Sequence, residues 1–180
     1  IYTGTKDWAN EEFKERVSGK QLNPGKAWEI NPGMWEEFLV ETAEGRKFDY
    51  TYAERINRKN GPYDDDGTVL DEVIKLLKQD NDTRKAILPI FTAGDTQYYD
   101  GSCRIPCSMY YDFLIRDTGN GKQLNITYHQ RSADFVGHFG DDVYLAWCLM
   151  EYVAERVGVK PGYLFHTIDS LHAYKRDWHF

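Results

Sequence analysis

The sequence predicts an α+β fold in which helices pack around a mixed sheet. Two segments rich in aromatic and β-branched residues, 109–115 and 124–128, flank Asp117-Thr118-Gly119-Asn120-Gly121, a hairpin-type turn that makes them adjacent antiparallel strands. Residues 143–157 place Val143, Ala146, Trp147, Met150, Val153, Ala154 and Val157 so that a helix would be apolar around much of its girth, as a core helix is. Strands and helices otherwise mix without regular βαβ alternation.

In chain order, residues 6–17 and 33–41 are expected to be helical, separated by Asn23-Pro24-Gly25 and Asn31-Pro32-Gly33. Residues 60–67 form an acidic turn or loop whose charge is expected to be solvated. Leu70, Val73, Ile74 and Leu77 recur at helical spacing across residues 69–78, giving a helix with one inward face. Residues 86–91 are apolar and short enough for a buried strand, and 94–101 are polar and loop-like. The 143–157 helix stops before Gly158, with Pro161 beyond, and 163–168 forms a last strand.

At 180 residues the chain fits one domain, 1–180, because about 150 residues already bury roughly two thirds of their unfolded surface. Hydrophobic residues make up 41%, yet no apolar run approaches the ~18 residues of a membrane helix, so no membrane partner is expected. Three cysteines, an odd number, make no disulfide framework, and a reducing, cytoplasmic setting follows as the expectation. A net charge of -7 argues against long nucleic acid, although a single phosphate needs only a few local cations. Because the chain starts at Ile1, native flanking segments are expected to be missing.

The chemistry concentrates in Arg104-Ile105-Pro106-Cys107, Gln130-Arg131-Ser132-Ala133-Asp134 and His172-Ala173-Tyr174. A thiol after a proline has little freedom, and Arg131 would lower its pKa if the fold brought the two together. A lone cysteine is also commonly a small buried hydrophobe. Cys103 and Cys107 lack a second Cys/His pair at ligand spacing, so no metal is expected, and Cys148 is most simply structural. Arg131 with Ser132 suits phosphate oxygens, Arg84-Lys85 is a second cationic pair, and either could be a surface ion pair instead. Asp142 and Asp141 open the core helix, where an N-cap is the ordinary role of an acid. His172 and Tyr174 share one face if extended and could reach one hydroxyl.

In order and spacing these motifs resemble the thymidylate synthase superfamily, and the deoxycytidylate hydroxymethylases within it most, across residues 12–178 with gaps and most strongly from Ile105 onward. The resemblance implies a homodimer whose sheets pack face to face. It implies a reaction in which Cys107 adds to carbon 6 of a pyrimidine and 5,10-methylenetetrahydrofolate supplies a one-carbon unit to carbon 5. It puts Gln130, Arg131, Ser132 and Asp134 on a QRSxD motif, with Arg131 and Ser132 on the phosphate and Asp134 by base and folate. Arg84 and Lys85 match paired arginines lent across the dimer, although lysine lacks the bidentate fork.

Ten residues past Ser132, Asp142 stands where thymidylate synthase has an asparagine that reads uracil, and thirty further on His172, with Tyr174, matches the ribose 3'-hydroxyl position. A carboxylate only accepts hydrogen bonds, which suits the exocyclic amine of cytosine and favours dCMP over dUMP. Trp35 matches a tryptophan near the folate and Tyr52 an active-site tyrosine, although both are also ordinary core residues. Glu12 matches a glutamate that manages protons through ordered water, with Glu11 as the alternative.

Ser108 replaces the histidine after the synthase cysteine, and Gly137 falls one place early, leaving His138 at the family glycine. Residues 2–5 lie too close to Glu12 to be the family's phosphate loop, and no counterpart of the synthase's C-terminal tail is expected. These departures point toward a dCMP hydroxymethylase, with bacteriophage as the implied source. A methyl-forming enzyme is the runner-up, and an idle nucleotide-binding protein the alternative of another class.

Overall fold

The computed structural model describes residues 6–59, 67–97, 101 and 103–178. In chain order the regular elements are α1 (Lys6–Arg16), α2 (Pro32–Trp35), β1 (Val40–Thr42), β2 (Gly45–Lys47), α3 (Tyr52–Ile56), α4 (Val69–Gln79) and β3 (Ile87–Pro89). They continue with β4 (Ser108–Asp117), β5 (Lys122–Gln130), β6 (Ala133–Asp134), α5 (Phe139–Val157), β7 (Lys160–Ile168) and β8 (Leu171–His172).

The main sheet has the order β3-β4-β5-β7. Its first three strands are antiparallel, and β7 returns through α5 to lie parallel to β5, which makes the sheet mixed. The hairpin between β4 and β5 falls where the sequence places it, with Gly119 and Gly121 at φ of 80° and 107°, angles that side-chain-bearing residues rarely adopt. Burial alternates along both strands. Tyr111, Phe113 and Ile115 of β4, and Leu124, Ile126 and Tyr128 of β5, face a core completed by Leu70, Val73, Ile74 and Leu77 of α4 and by Ala146, Met150 and Val153 of α5. On the opposite sheet face, Tyr163 and Phe165 are 64% and 55% exposed.

Several elements differ from the sequence expectation. Residues 33–41 are not one helix. Pro32 opens a four-residue α2, a 3-10 turn spans Glu36–Phe38, and Val40 and Glu41 belong to a hairpin turned at Gly45, whose φ is 115°. The short α3 went unforeseen although it carries a capping box, Thr51 with Glu54. Helix α5 starts at Phe139 with His138 as N-cap, so Asp142 lies inside its first turn and does not cap it. Trp147 is 39% exposed, and Leu145 and Leu149 take the inward places instead. Of the expected loops, 60–66 and 98–100 lie outside the described residues, as do 2–5, and Ala93–Gln97 forms a 3-10 turn. No helix among the described residues is long and apolar enough to cross a membrane.

Candidate active site

The two motif segments meet because the chain leaves β5 and β7, neighbours in the sheet, on the same side. Asp169 N–H donates to Gln130 O (3.0 Å), Ala133 N–H to Ser170 O (3.0 Å) and Phe135 N–H to His172 O (2.7 Å). These bonds extend into the parallel β6/β8 pair, with Asp134 opposite His172. Ser132 Oγ therefore stands 3.5 Å from His172 Nδ1, and the His172 ring meets Tyr174 edge-on at 5.2 Å.

Arg131 clamps the segment bearing the thiol. Its backbone N–H donates to Cys107 O (2.9 Å), Nε to Pro106 O (2.9 Å) and Nη2 to Ile105 O (3.2 Å). Nη1 makes no hydrogen bond among the described residues and remains available to an anion. Arg131 acts on the thiol in the expected direction, but burial outweighs it. Burial pushes the Cys107 thiol up, Arg131 and Arg104 pull it back, Asp142 pushes it up again, and the net direction is upward. Cys107 rests as a neutral thiol and must lose its proton as it attacks.

Asp142 faces this thiol from α5. Gln130 Nε2 donates to its Oδ2 at 2.9 Å, while Gln130 Oε1 pairs with His166 Nε2 at 2.7 Å. An amide that donates at one end accepts at the other, so His166 carries its proton on Nε2. Burial pushes His166 down to about 4, which keeps its ring neutral in neutral solution. Burial pushes Asp142 up to about 6, against the pull of Gln130, Arg16 and His138. An acid whose folded pKa is raised gives stability that is complete below its unfolded value, near 3.8, and is lost as pH rises through about 6. Asp142→Asn should therefore raise Tm more at pH 7.5 than at about pH 4. Equal gains in thermal melts at the two pH values would contradict the assignment.

On α1, Glu12 Oε1 accepts from Arg16 Nε at 2.8 Å, and the guanidinium lies over the Tyr52 ring at 4.2 Å. Glu11 instead pairs with Lys14, away from the cavity, so Glu12 is the acid placed at the site. Ser108, where the family has histidine, is fully buried, and its hydroxyl bonds Tyr52 OH (3.2 Å) and Tyr128 OH (2.5 Å).

An aromatic wall follows. Trp35 stacks on Trp8 at 5.1 Å and tilts against His138 at 5.3 Å. The indole nitrogens of Trp28 and Trp35 are buried without a protein partner, donors that a flat heterocycle could satisfy. Asp134 Oδ1 accepts from Val136 N–H (3.1 Å), and a Cβ on Gly137 would sit 2.5 Å from Asp134 Oδ2, so a larger residue there would push that carboxylate aside.

The motif residues border one cavity of about 380 Å³, the size of a small-molecule site. It unites Cys107, Glu12, Asp142, Tyr52, Gln130, Arg131, Ser132, Asp134, Trp35, His172 and Tyr174. Arg84 and Lys85 are exposed in the turn before β3 and do not border it. Sequence reasoning passed over Trp8, Arg16, Tyr50 and His166, and named Arg104 only within its motif, with no role of its own. Only Arg16 left a signal, standing four residues after Glu12 on one helix face. None of the three cysteines is in a disulfide, and no cluster of His, Cys, Asp or Glu among the described residues could hold a metal.

Fold and site together define an α+β domain in which a cysteine, several arginines and aromatic rings line one cavity. The thymidylate synthase family model matches residues 17–179, and the chain belongs to that family. The structure is similar to thymidylate synthase from T4 phage, with a TM-score of 0.73 at 22% identity, covering 98% of this chain and 62% of the other. A putative thymidylate synthase of Methanosarcina barkeri is 35% identical over 156 residues, 84% of this chain and 65% of the relative. A deoxyuridylate hydroxymethyltransferase of Bacillus phage SP01 is 30% identical, covering 93% of this chain and 49% of the relative. The chain thus spans just under two thirds of the length of the archaeal relative.

Proposed function

We propose that the protein is a deoxycytidylate hydroxymethylase, which transfers the one-carbon unit of 5,10-methylenetetrahydrofolate to carbon 5 of dCMP and adds water to give 5-hydroxymethyl-dCMP. The observation that carries this reading is Asp142, whose Oδ2 accepts from Gln130 in the same buried cavity as Cys107. Its carboxylate accepts from the cytosine amine, and it has no donor for a uracil carbonyl.

In this reading Arg131 Nη1 and Ser132 Oγ hold the phosphate, and His172 and Tyr174 meet the sugar hydroxyl. Cys107 Sγ loses its proton and adds to carbon 6, which makes carbon 5 the nucleophile. The folate supplies the one-carbon unit. Trp35 and Asp134 hold it, and the unpartnered indole donors suit a heterocyclic ring. Tyr52 lines the same cavity as Cys107, and Glu12 manages protons through water, its Oε2 making no hydrogen bond among the described residues. The product at carbon 5 divides the relatives: the SP01 enzyme is named for hydroxymethyl transfer, and the archaeal proteins, as putative thymidylate synthases, favour a second reading in which the product is methylated. Release of tritium to water from dCMP labelled at carbon 5 tests the shared chemistry, with folate-dependent release expected. No release from dCMP would sink the dCMP reading, and no release from dUMP labelled at carbon 5 either would sink both.

The protein acts as a homodimer in this proposal. Ile87, Tyr163 and Phe165 are exposed on the uncovered sheet face, which a second copy would bury, and the partner lends Arg84 and Lys85 to the phosphate. Cys107→Ser and the double variant Arg84→Ala/Lys85→Ala should each be inactive, and mixing them should restore turnover, because a mixed dimer contains one intact site. A mixture as inactive as its parts would refute the shared site.

A further inference from the structure

We propose that Arg16 is a positioning residue of the base-reading end of the cavity, a fixed positive charge held between Glu12 and the Tyr52 ring on the wall that also carries Asp142. Arg16 is only 5% exposed yet borders the cavity. One of its five N–H donors is spent on Glu12, its flat face rests on Tyr52, and Nη1 and Nη2 make no hydrogen bond among the described residues. A buried guanidinium tied at one edge and open at the other is fixed in orientation while its charge acts across the cavity.

The groups around Asp142 come from every element packed against it. They are Arg16 from α1, Tyr52 from α3, Cys107 and Tyr111 at and beside β4, Gln130 and Tyr128 from β5, and His138 and Asp141 at the start of its own helix. Burial pushes the three tyrosines and the thiol up, so these stay neutral near pH 6. Arg16 is then the permanent cation opposing burial and Asp141 at Asp142, with His138 adding to it only when protonated. Glu12 draws on the same charge through the 2.8 Å pair. Without Arg16, Asp142 would lose the permanent cation that opposes its burial, and its protonated form would be favoured. Asp142 would then lose the acceptor that the cytosine amine requires, a consequence that rests on the dCMP reading above; the electrostatics do not.

The test begins without nucleotide. In wild-type protein the ¹⁵N signal of Arg16 Nε should show an inflection near the pH at which Asp142 titrates, and Asp142→Asn should abolish it. In Arg16→Met the Asp142 carboxyl, followed by ¹³C NMR, should titrate about one pH unit higher, while Arg16→Lys stays close to wild type. With dCMP, the acid limb of kcat/KM should move upward in Arg16→Met and be rescued in Arg16→Lys. A flat Arg16 signal in the wild type, or an unmoved Asp142 titration in folded Arg16→Met, would overturn the proposal. Should Arg16→Met fail to fold, the wild-type signal still decides. Ligand-free titrations that behave as expected, with no turnover of dCMP, would uphold Arg16 and refute the substrate assignment.

Discussion

Cys107→Ser should lower turnover by at least about a thousandfold while nucleotide still binds. The thiol stands in a segment clamped by three hydrogen bonds from Arg131, so the substitution leaves the backbone and the groups proposed to hold the phosphate in place. What disappears is the nucleophile. A thiol is deprotonated far more readily than an alcohol, and burial at this position, which already pushes the thiol up, would oppose an alkoxide still more strongly. Binding measured by calorimetry alongside turnover separates the two effects. Near-normal turnover in the serine variant would remove Cys107 from the mechanism.

The second large effect is expected at Asp142. Asp142→Asn should shift the ratio of kcat/KM for dCMP over dUMP toward dUMP by on the order of a hundredfold or more, because a buried site built to bond one group leaves polar atoms unpaired when offered the other. Gln130 Nε2 donates toward residue 142, so it would hold the new amide by its oxygen and leave the amide NH2 for the base. That donor suits the uracil carbonyl and opposes the cytosine amine. An unchanged ratio would show that some other group reads the base. Activity of the wild-type protein on dCMP should also fall as pH drops through about 6, where Asp142 takes up a proton and ceases to be a pure acceptor.

Legibility in the sequence followed the range of the interactions involved. The hairpin at 117–121 and the helix α4 are set by local turn chemistry and local periodicity, and both appear where the residues place them. Residues 33–41 misled because acidic and aromatic residues suit a helix locally, whereas Pro32, the turn at Gly45 and the pairing of Val40 with Lys47 divide the segment. The start of α5 was set too late because Phe139 and Gly140 carry no capping signal, and His138 caps without a side-chain bond. At the site, the motif residues were visible as words in the chain, and their meeting depends on the β6/β8 pair, two residues per strand and too short to leave a pattern. The electrostatics were not visible at all. The sign of the Cys107 shift depends on how deeply the thiol is buried, and the links from His166 through Gln130 to Asp142 join residues 36 and 12 positions apart.

The most direct test of the account offers the protein an equal mixture of dCMP and dUMP with 5,10-methylenetetrahydrofolate and identifies the nucleotide products by mass spectrometry. Hydroxymethyl-dCMP as the dominant product is the predicted result, since it requires the Cys107 nucleophile, the Asp142 acceptor and water capture together. A methylated product, or modification of dUMP in preference to dCMP, would contradict it.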